Sequence, residues 1–296
     1  MLKIYDRRHE KVIEEKVFGG EAILWAYGTP LGRAIVDRRW IQGLVSRLAG
    51  DYYDSALSAR GIPDFVRAYD IRMEDYVTPV GGFDSFNDFF VRPFRPGLRG
   101  FPEDSSRLGA PAEGRLSLFE IRDGRARLSI KDTETELGEL LGSLAAAAPR
   151  EGHAWVFRLC PVDYHCFHFP DAGRVLAHAR VSGDLHSVNP VAQTAIPGLF
   201  FRNEREATLL DSENFGRLAL VEVGAICVGL IRQLFSLGDD VKRGQAKGYF
   251  KFGASTVVLV TDARHVRPDP DLVERSLAGT ESLVRLGEGV GTKVPV

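Results

Sequence analysis

Three stretches carry residue types that can do chemistry together. In residues 247–260, KGYFKFGASTVVLV, a Gly253-Ala254-Ser255-Thr256 step separates two apolar, strand-like pieces. Small residues let another group come close to the backbone. Ser255 follows a compact peptide bond, so its hydroxyl is placed for an intramolecular attack on the Ala254 carbonyl. Neighbouring reactants gain a large effective molarity. The same four residues also make ordinary hairpin turns. Residues 160–170, CPVDYHCFHFP, bring His165 and His168. Extended chain would turn them to opposite sides, and a turn would put them on one. Imidazole titrates near neutrality and suits acid/base work, while core histidines bonded to backbone are the plainer alternative. Cys160 and Cys166 complete no closed zinc pattern with them, so no metal is expected. In residues 109–115, GAPAEGR, Glu113 stands at the entry of a strand. It could orient a histidine in a Ser-His-acid arrangement or be an exposed turn carboxylate. Arg202, Asn203, Glu204 and Arg205, near the GDLHSVNP run of residues 183–190, could hold a carboxylate or phosphate. They could equally form a hydrated loop.

The elements that must position these groups divide the chain in two. Residues 1–105 read as a largely helical region. Thr29-Pro30 has the capping hydroxyl and first-turn proline of a helix start, and Leu31, Ile35, Ile41, Leu44, Val45 and Leu48 continue at helical spacing until Gly50. This stripe is either a core-facing side or a basic amphipathic helix on an anionic membrane. Asp84 or Ser85 could cap a short helix through Phe90, ahead of Pro93 and Pro96. Residues 106–296 change texture to short strands at 115–120, 126–130, 154–159, 174–179, 218–231 and 249–260. From Pro268 on the tail suggests a return to helix, with Leu272, Val273 and Leu277 and then Leu283, Val284 and Leu286 in a helical or helix-turn pattern. The fold class expected is α+β, with an N-terminal helical region packed on a mainly antiparallel β barrel or sandwich.

A chain of 296 residues, 44% hydrophobic and 26% charged, is globular with a sizeable core. A net charge of −2 gives no case for nucleic acid. Three scattered cysteines, Cys160, Cys166 and Cys227, fit a reducing compartment, and Cys227 reads as a buried small hydrophobe. The first residues lack the apolar region of a signal peptide. No stretch approaches the apolar length of a membrane span.

The segments SFNDFFVRPFRPGLR, APAEG, CPVDYHCFHFP, GDLHSVNP, FFRNERE, VEVGAICVG and KGYFKFGAST, taken in order, resemble the phosphatidylserine decarboxylase family in its longer bacterial branch. The resemblance covers most of the chain from about residue 84 to 260. It implies a pyruvoyl-dependent carboxy-lyase of phospholipid synthesis, made as a self-cleaving zymogen. By that resemblance Ser255 attacks the Ala254 carbonyl and becomes a covalent pyruvoyl group, leaving a β chain of residues 1–254 and an α chain of residues 255–296. His168 is then the base for cleavage, Glu113 orients it, and His165 carries a proton in decarboxylation. The implied partners are phosphatidylserine and an anionic membrane surface at the cytoplasmic face, bound peripherally, and a homodimer is left open. Two departures stand out. Glu113 occupies a position usually held by Asp, and Ala254 one usually held by Gly. They keep open a non-cleaving lipid-binding homologue, beside a relative acting on another amino acid or amino-acid-bearing lipid.

Overall fold

The β-branched run at residues 255–262 becomes the middle of a large sheet because both of its edges find partners. The computed structural model describes residues 2–15, 20–128, 133–188, 190–196, 198–226, 231–253 and 255–295. Ser255–Asp262 pairs antiparallel with Gly216–Val223 on one side and Gly152–Leu159 on the other. Outward from the first of these follow Arg205–Ser212, Gly173–Val181 and the two-residue edge Asp240–Val241. Outward from the second come Gly114–Arg122, Glu281–Val284, Leu2–Asp6 and Lys11–Glu15. Arg125–Leu128 and Thr133–Glu136 branch off Gly114–Arg122, completing twelve strands. Among the described strands only Leu2–Asp6 runs parallel to a neighbour, Glu281–Val284. Among the described residues no ladder joins the two outer edges, so the expected barrel or sandwich is an open, mainly antiparallel sheet within an α+β fold. Two three-stranded sheets accompany it. One is Ile231–Gln233, Ala246–Phe250 and Cys166–His168, and the other is Val266–Pro268, Gly289–Lys293 and Arg107–Gly109.

Several local expectations resolve differently. The chain opens as a strand hairpin rather than helix, and Arg7 in its turn binds Asp269, Asp271 and Glu288. Those partners lie at the far end of the sequence, where no local pattern could announce them. The helix expected in the tail is present at Pro270–Leu277, but the part expected at Leu283 and Val284 is strand, because these residues pair with Arg115 and Gly114. The apolar stretch at 218–231 ends its strand at Val223 and enters the small sheet at Ile231. Cys227 lies outside the described residues.

The N-terminal helices are α1 (Gly20–Gly28), α2 (Pro30–Val36) and α3 (Arg39–Tyr53). Thr29 caps α2 through the Gly32 amide, and Ser85 caps Phe86–Phe90 through the Asp88 amide, as their sequences require. The stripe expected as one helix is split at Asp37 and Arg38, and it does not face the core. In α3 the buried residues are Gln42 and Ser46, while Trp40, Leu44 and Leu48 are 66%, 48% and 61% exposed. Gln42 explains the inversion. Its amide donates to the Val36 carbonyl and accepts from the Leu185 amide, so the polar side of the helix is the docked side.

A fully buried ion pair holds the small sheet against the large one. Lys247 Nζ lies 2.7 Å from Glu222 Oε2, and the Gln233 amide bonds both partners. A register shift between Ala246 and Gly248 aims Lys247 inward. Gly248 itself admits no side chain, since a Cβ would stand 2.2 Å from the Arg232 carbonyl oxygen. Lys247→Met alone should destabilise the chain by about 3–5 kcal/mol, because it strands the Glu222 charge. The double change Lys247→Met with Glu222→Leu should recover most of that loss in guanidinium unfolding. Equal losses for single and double variants would show that packing, not charge, holds the sheets.

Candidate active site

Ser255 is the first residue of its strand, with Leu159 opposite it on one neighbour. Strand side chains alternate, so Ser255 and Val257 share a face. Glu222 lies opposite Val257, and Lys247 reaches Glu222 from the small sheet. The face bearing Ser255 is therefore the one that the small sheet covers. Ser255 is 0% exposed, and its Oγ has no hydrogen-bond partner among the described residues. A buried hydroxyl left unbonded costs about 1–3 kcal/mol. Two residues earlier Gly253 has φ of 144°, a conformation that side chains other than hydrogen rarely adopt. Ala254 lies outside the described residues.

His165 approaches this segment from the small sheet. Its carbonyl accepts from the Phe250 amide at 3.0 Å, and its ring lies against Phe90, with centroids 3.8 Å apart. Nδ1 is 3.0 Å from the Asp163 carbonyl oxygen. A carbonyl only accepts, so Nδ1 carries the proton and Nε2 the lone pair. Nε2 has no hydrogen bond of good geometry, although the Gly253 backbone is near enough to favour a protonated ring. Burial dominates and pushes the His165 pKa down to about 3. The imidazole is neutral, dry and turned toward the chain that leads into Ser255.

His168 is engaged elsewhere. Its Nδ1 donates to the Gly244 carbonyl at 2.8 Å, its Nε2 meets the Tyr164 hydroxyl at 3.3 Å, and burial lowers its pKa. Glu113 receives Arg99 on both oxygens, at 2.6 and 2.9 Å, and accepts the Leu286 amide. Among the described residues Glu113 makes no hydrogen bond to His168. The link between them runs through the backbone, where the His168 amide donates to the Pro111 carbonyl at 2.8 Å. The structure thus brings His165 to the segment before Ser255 and places His168 and Glu113 on separate partners.

Asp163 and Arg115 are participants that sequence reasoning passed over. The Asp163 carboxylate takes the Arg115 guanidinium and the Cys160 amide, while its carbonyl holds His165. Arg115 also pairs with Glu15, which in turn pairs with Arg158, and Arg158 with Glu281. Asp163 stands in the same CPVDYH run as His165, which was the available signal. The arginine loop has no free guanidinium to spare for a ligand at Arg205, which donates to the carbonyls of Leu140, Asn203 and Glu139. Asn203 clamps His186 and Gly224 by their backbones. Among the described residues no group of three or more His, Cys, Asp or Glu is placed to hold a metal.

Two clefts reach the segment before Ser255. One of about 300 Å³ lies between α3 and residues Lys251 and Phe252. The other, about 360 Å³, lies beside Tyr53, Phe65 and Phe86 and also ends on Phe252.

Comparison with known proteins decides the family. The family model described as phosphatidylserine decarboxylase matches residues 86–292. The chain belongs to the phosphatidylserine decarboxylase family. Proteins named phosphatidylserine decarboxylase proenzyme are similar over almost the whole chain. That of Clostridium perfringens is 38% identical over 294 residues, which is 99% of this chain and 100% of the relative. Those of Clostridium botulinum and Ruminiclostridium cellulolyticum are 39% and 37% identical, covering 99% and 98% of this chain and 100% and 97% of the relatives.

The low His165 pKa sets a pH dependence of stability. Its ordinary value is 6.5, and in the folded chain it is about 3. Above 6.5 neither state binds the proton, and the full contribution is present. As pH falls from 6.5 toward 3 the unfolded chain takes up a proton that the folded chain refuses, so stability declines. Replacing His165 with Phe should flatten the fall of the urea midpoint over that range by about one proton's worth of slope. An unchanged slope would mean that His165 is solvated and titrates normally.

Proposed function

We infer that the chain is a phosphatidylserine decarboxylase, a carboxy-lyase forming phosphatidylethanolamine, made as a proenzyme that cuts itself before Ser255. The buried Ser255 hydroxyl, without a hydrogen-bond partner among the described residues, carries the reading, in a chain whose full-length relatives bear the proenzyme name. In the cleavage Ser255 Oγ adds to the Ala254 carbonyl carbon and gives its proton to a base, since a serine hydroxyl is a weak nucleophile alone. The C–N bond breaks, the nitrogen takes a proton, and the acyl group rests on oxygen as an ester. Removal of the Ser255 α-proton then expels the Ala254 carboxylate and leaves dehydroalanine. Water adds, ammonia departs, and a pyruvoyl group heads a chain of residues 255–296, with residues 1–254 as its companion.

The surroundings of Ser255 fit such a group: a buried wall, no competing hydrogen bond among the described residues, and an uncharged imidazole nearby. Once formed, the group supplies a ketone sink for the electron pair released with carbon dioxide. The chain's own side chains exclude water and move protons. By the family pattern His168 takes the cleavage proton, Glu113 orients it, and His165 relays a proton, taken up first at Nε2, to the carbon that loses carbon dioxide. One observation favours a second reading of the first step. Among the described residues no donor occupies the Nε2 lone pair of His165 near the Gly253 backbone, whereas that of His168 is held by Tyr164.

Lipid as substrate is supported by the inverted α3. Trp40, Leu44 and Leu48 are exposed with Arg38, Arg39 and Arg47 around them, the composition of a helix lying on an anionic surface. Among the described residues no helix is long and apolar enough to cross a membrane. We place the protein peripherally on the cytoplasmic face.

Ser255→Ala should show neither chain cleavage nor release of carbon dioxide from phosphatidylserine, and cleavage that persists would refute the assignment. If His168 is the cleavage base, His168→Ala stays whole while His165→Ala is cut but turns over at least about 100-fold more slowly. If His165 is the base, His165→Ala is the variant that stays whole. Trp40→Ser with Leu48→Ser should abolish co-sedimentation with phosphatidylserine vesicles. Retained sedimentation, or a change in oligomeric state instead, would make that face a contact between copies.

A further inference from the structure

We propose that the cleft between α3 and residues Lys251 and Phe252 is the seat of the substrate's glycerophosphoserine headgroup, with Arg47 holding the phosphate. The proposal rests on the lipid decarboxylase reading above and adds to it a binding site and its ligand chemistry.

The cleft is built by one side of α3. Gly43, Ser46 and Gly50 lie at i, i+3 and i+7, so they stack on one face and leave a furrow where larger side chains would fill it. The other side of α3 is the exposed apolar face. Arg47 lies along the helix between the furrow and that face, since it follows Leu44 by three positions and Gly43 by four. A lipid whose acyl chains share the membrane with Leu44 and Leu48 would therefore bring its phosphate to Arg47 and its polar end into the furrow.

The far wall is the segment that leads to the reaction. Phe252 lines the cleft three residues before Ser255, and its amide donates to Asn87 Oδ1 at 2.7 Å. Asn87 also bonds Asp54 at 2.9 Å, and Asp54 pairs with Lys251 at 2.6 Å. The wall is a hydrogen-bonded unit that ties the C-terminal end of α3 to the chain entering Ser255. It uses Lys251 and Asp54 on each other. Arg47 and Asp51 are left with no ion-pair partner among the described residues. Two positive and two negative side chains line the cleft, so its formal charge is balanced. That favours a headgroup carrying both signs over a bare phosphate. A volume near 300 Å³ falls at the lower end for small-molecule sites and suits a headgroup without acyl chains.

The test uses the uncleaved Ser255→Ala full chain, in which the cleft is present and no turnover occurs. Glycerophosphoserine, which is water-soluble and has no acyl chains, is titrated by calorimetry into this chain. The same titration is made with Arg47→Gln added, and with Arg38→Gln added as a nearby surface-charge control. Arg47→Gln should weaken binding at least about tenfold, the worth of one charge-assisted hydrogen bond, and Arg38→Gln should change it less than about twofold. Inorganic phosphate should bind more weakly than glycerophosphoserine. In the cleaving background, Arg47→Gln should leave chain cleavage intact and raise KM for short-chain phosphatidylserine held below its micelle concentration, with kcat little changed. Equal binding to the Arg47→Gln chain, equal binding of inorganic phosphate, or a defect seen only with vesicles would each overturn the site. The calorimetric result stands even if the chain proves to have another substrate, so failure of the cleft and failure of the lipid reading are distinguishable.

Discussion

One buried hydroxyl governs this molecule. Ser255 is fully buried, and among the described residues its Oγ has no hydrogen-bond partner, a local deficit of the kind that accumulates where chemistry is done. The deficit survives because the chain on either side is fixed. Phe250 is bonded to the His165 carbonyl, Phe252 to Asn87, and the strand from Ser255 onward lies between two antiparallel neighbours. If Ser255 is the cleavage nucleophile, as proposed, an oxygen fixed in this way needs little further entropy loss to react.

The same fixed points join the two halves of the fold. Lys247 and Glu222 clamp the small sheet over the face bearing Ser255, and the Glu15, Arg115 and Asp163 network secures the turn that presents His165. On the other side Asp54 and Asn87 connect the helical region to Lys251 and Phe252. The polar docking of Gln42 leaves the apolar side of α3 free, so the surface suited to lipid and the reactive segment meet across a few residues.

Much of this was legible in the chain. Thr29 and Ser85 announced their caps, the valine-rich runs announced strands, and the motif order announced the family. What stayed hidden depends on partners distant in sequence. An amphipathic stripe says that two sides differ, but not which side docks. Only the bonds from Gln42 to Val36 and Leu185 decide that. Glu113 invited a histidine as partner, yet Arg99 satisfies both of its oxygens while Gly244 takes His168. The hairpin at residues 2–15 is secured by acids more than 250 positions away, beyond any local window.

The proposed chemistry requires the polypeptide to open itself next to Ser255, and the intact mass of the purified wild-type protein addresses this most directly. Two chains should be found, the smaller beginning at position 255 with a pyruvoyl group in place of an amino terminus. A single species at the full 32.7 kDa that nevertheless releases carbon dioxide from phosphatidylserine would show that decarboxylation needs no self-cleavage.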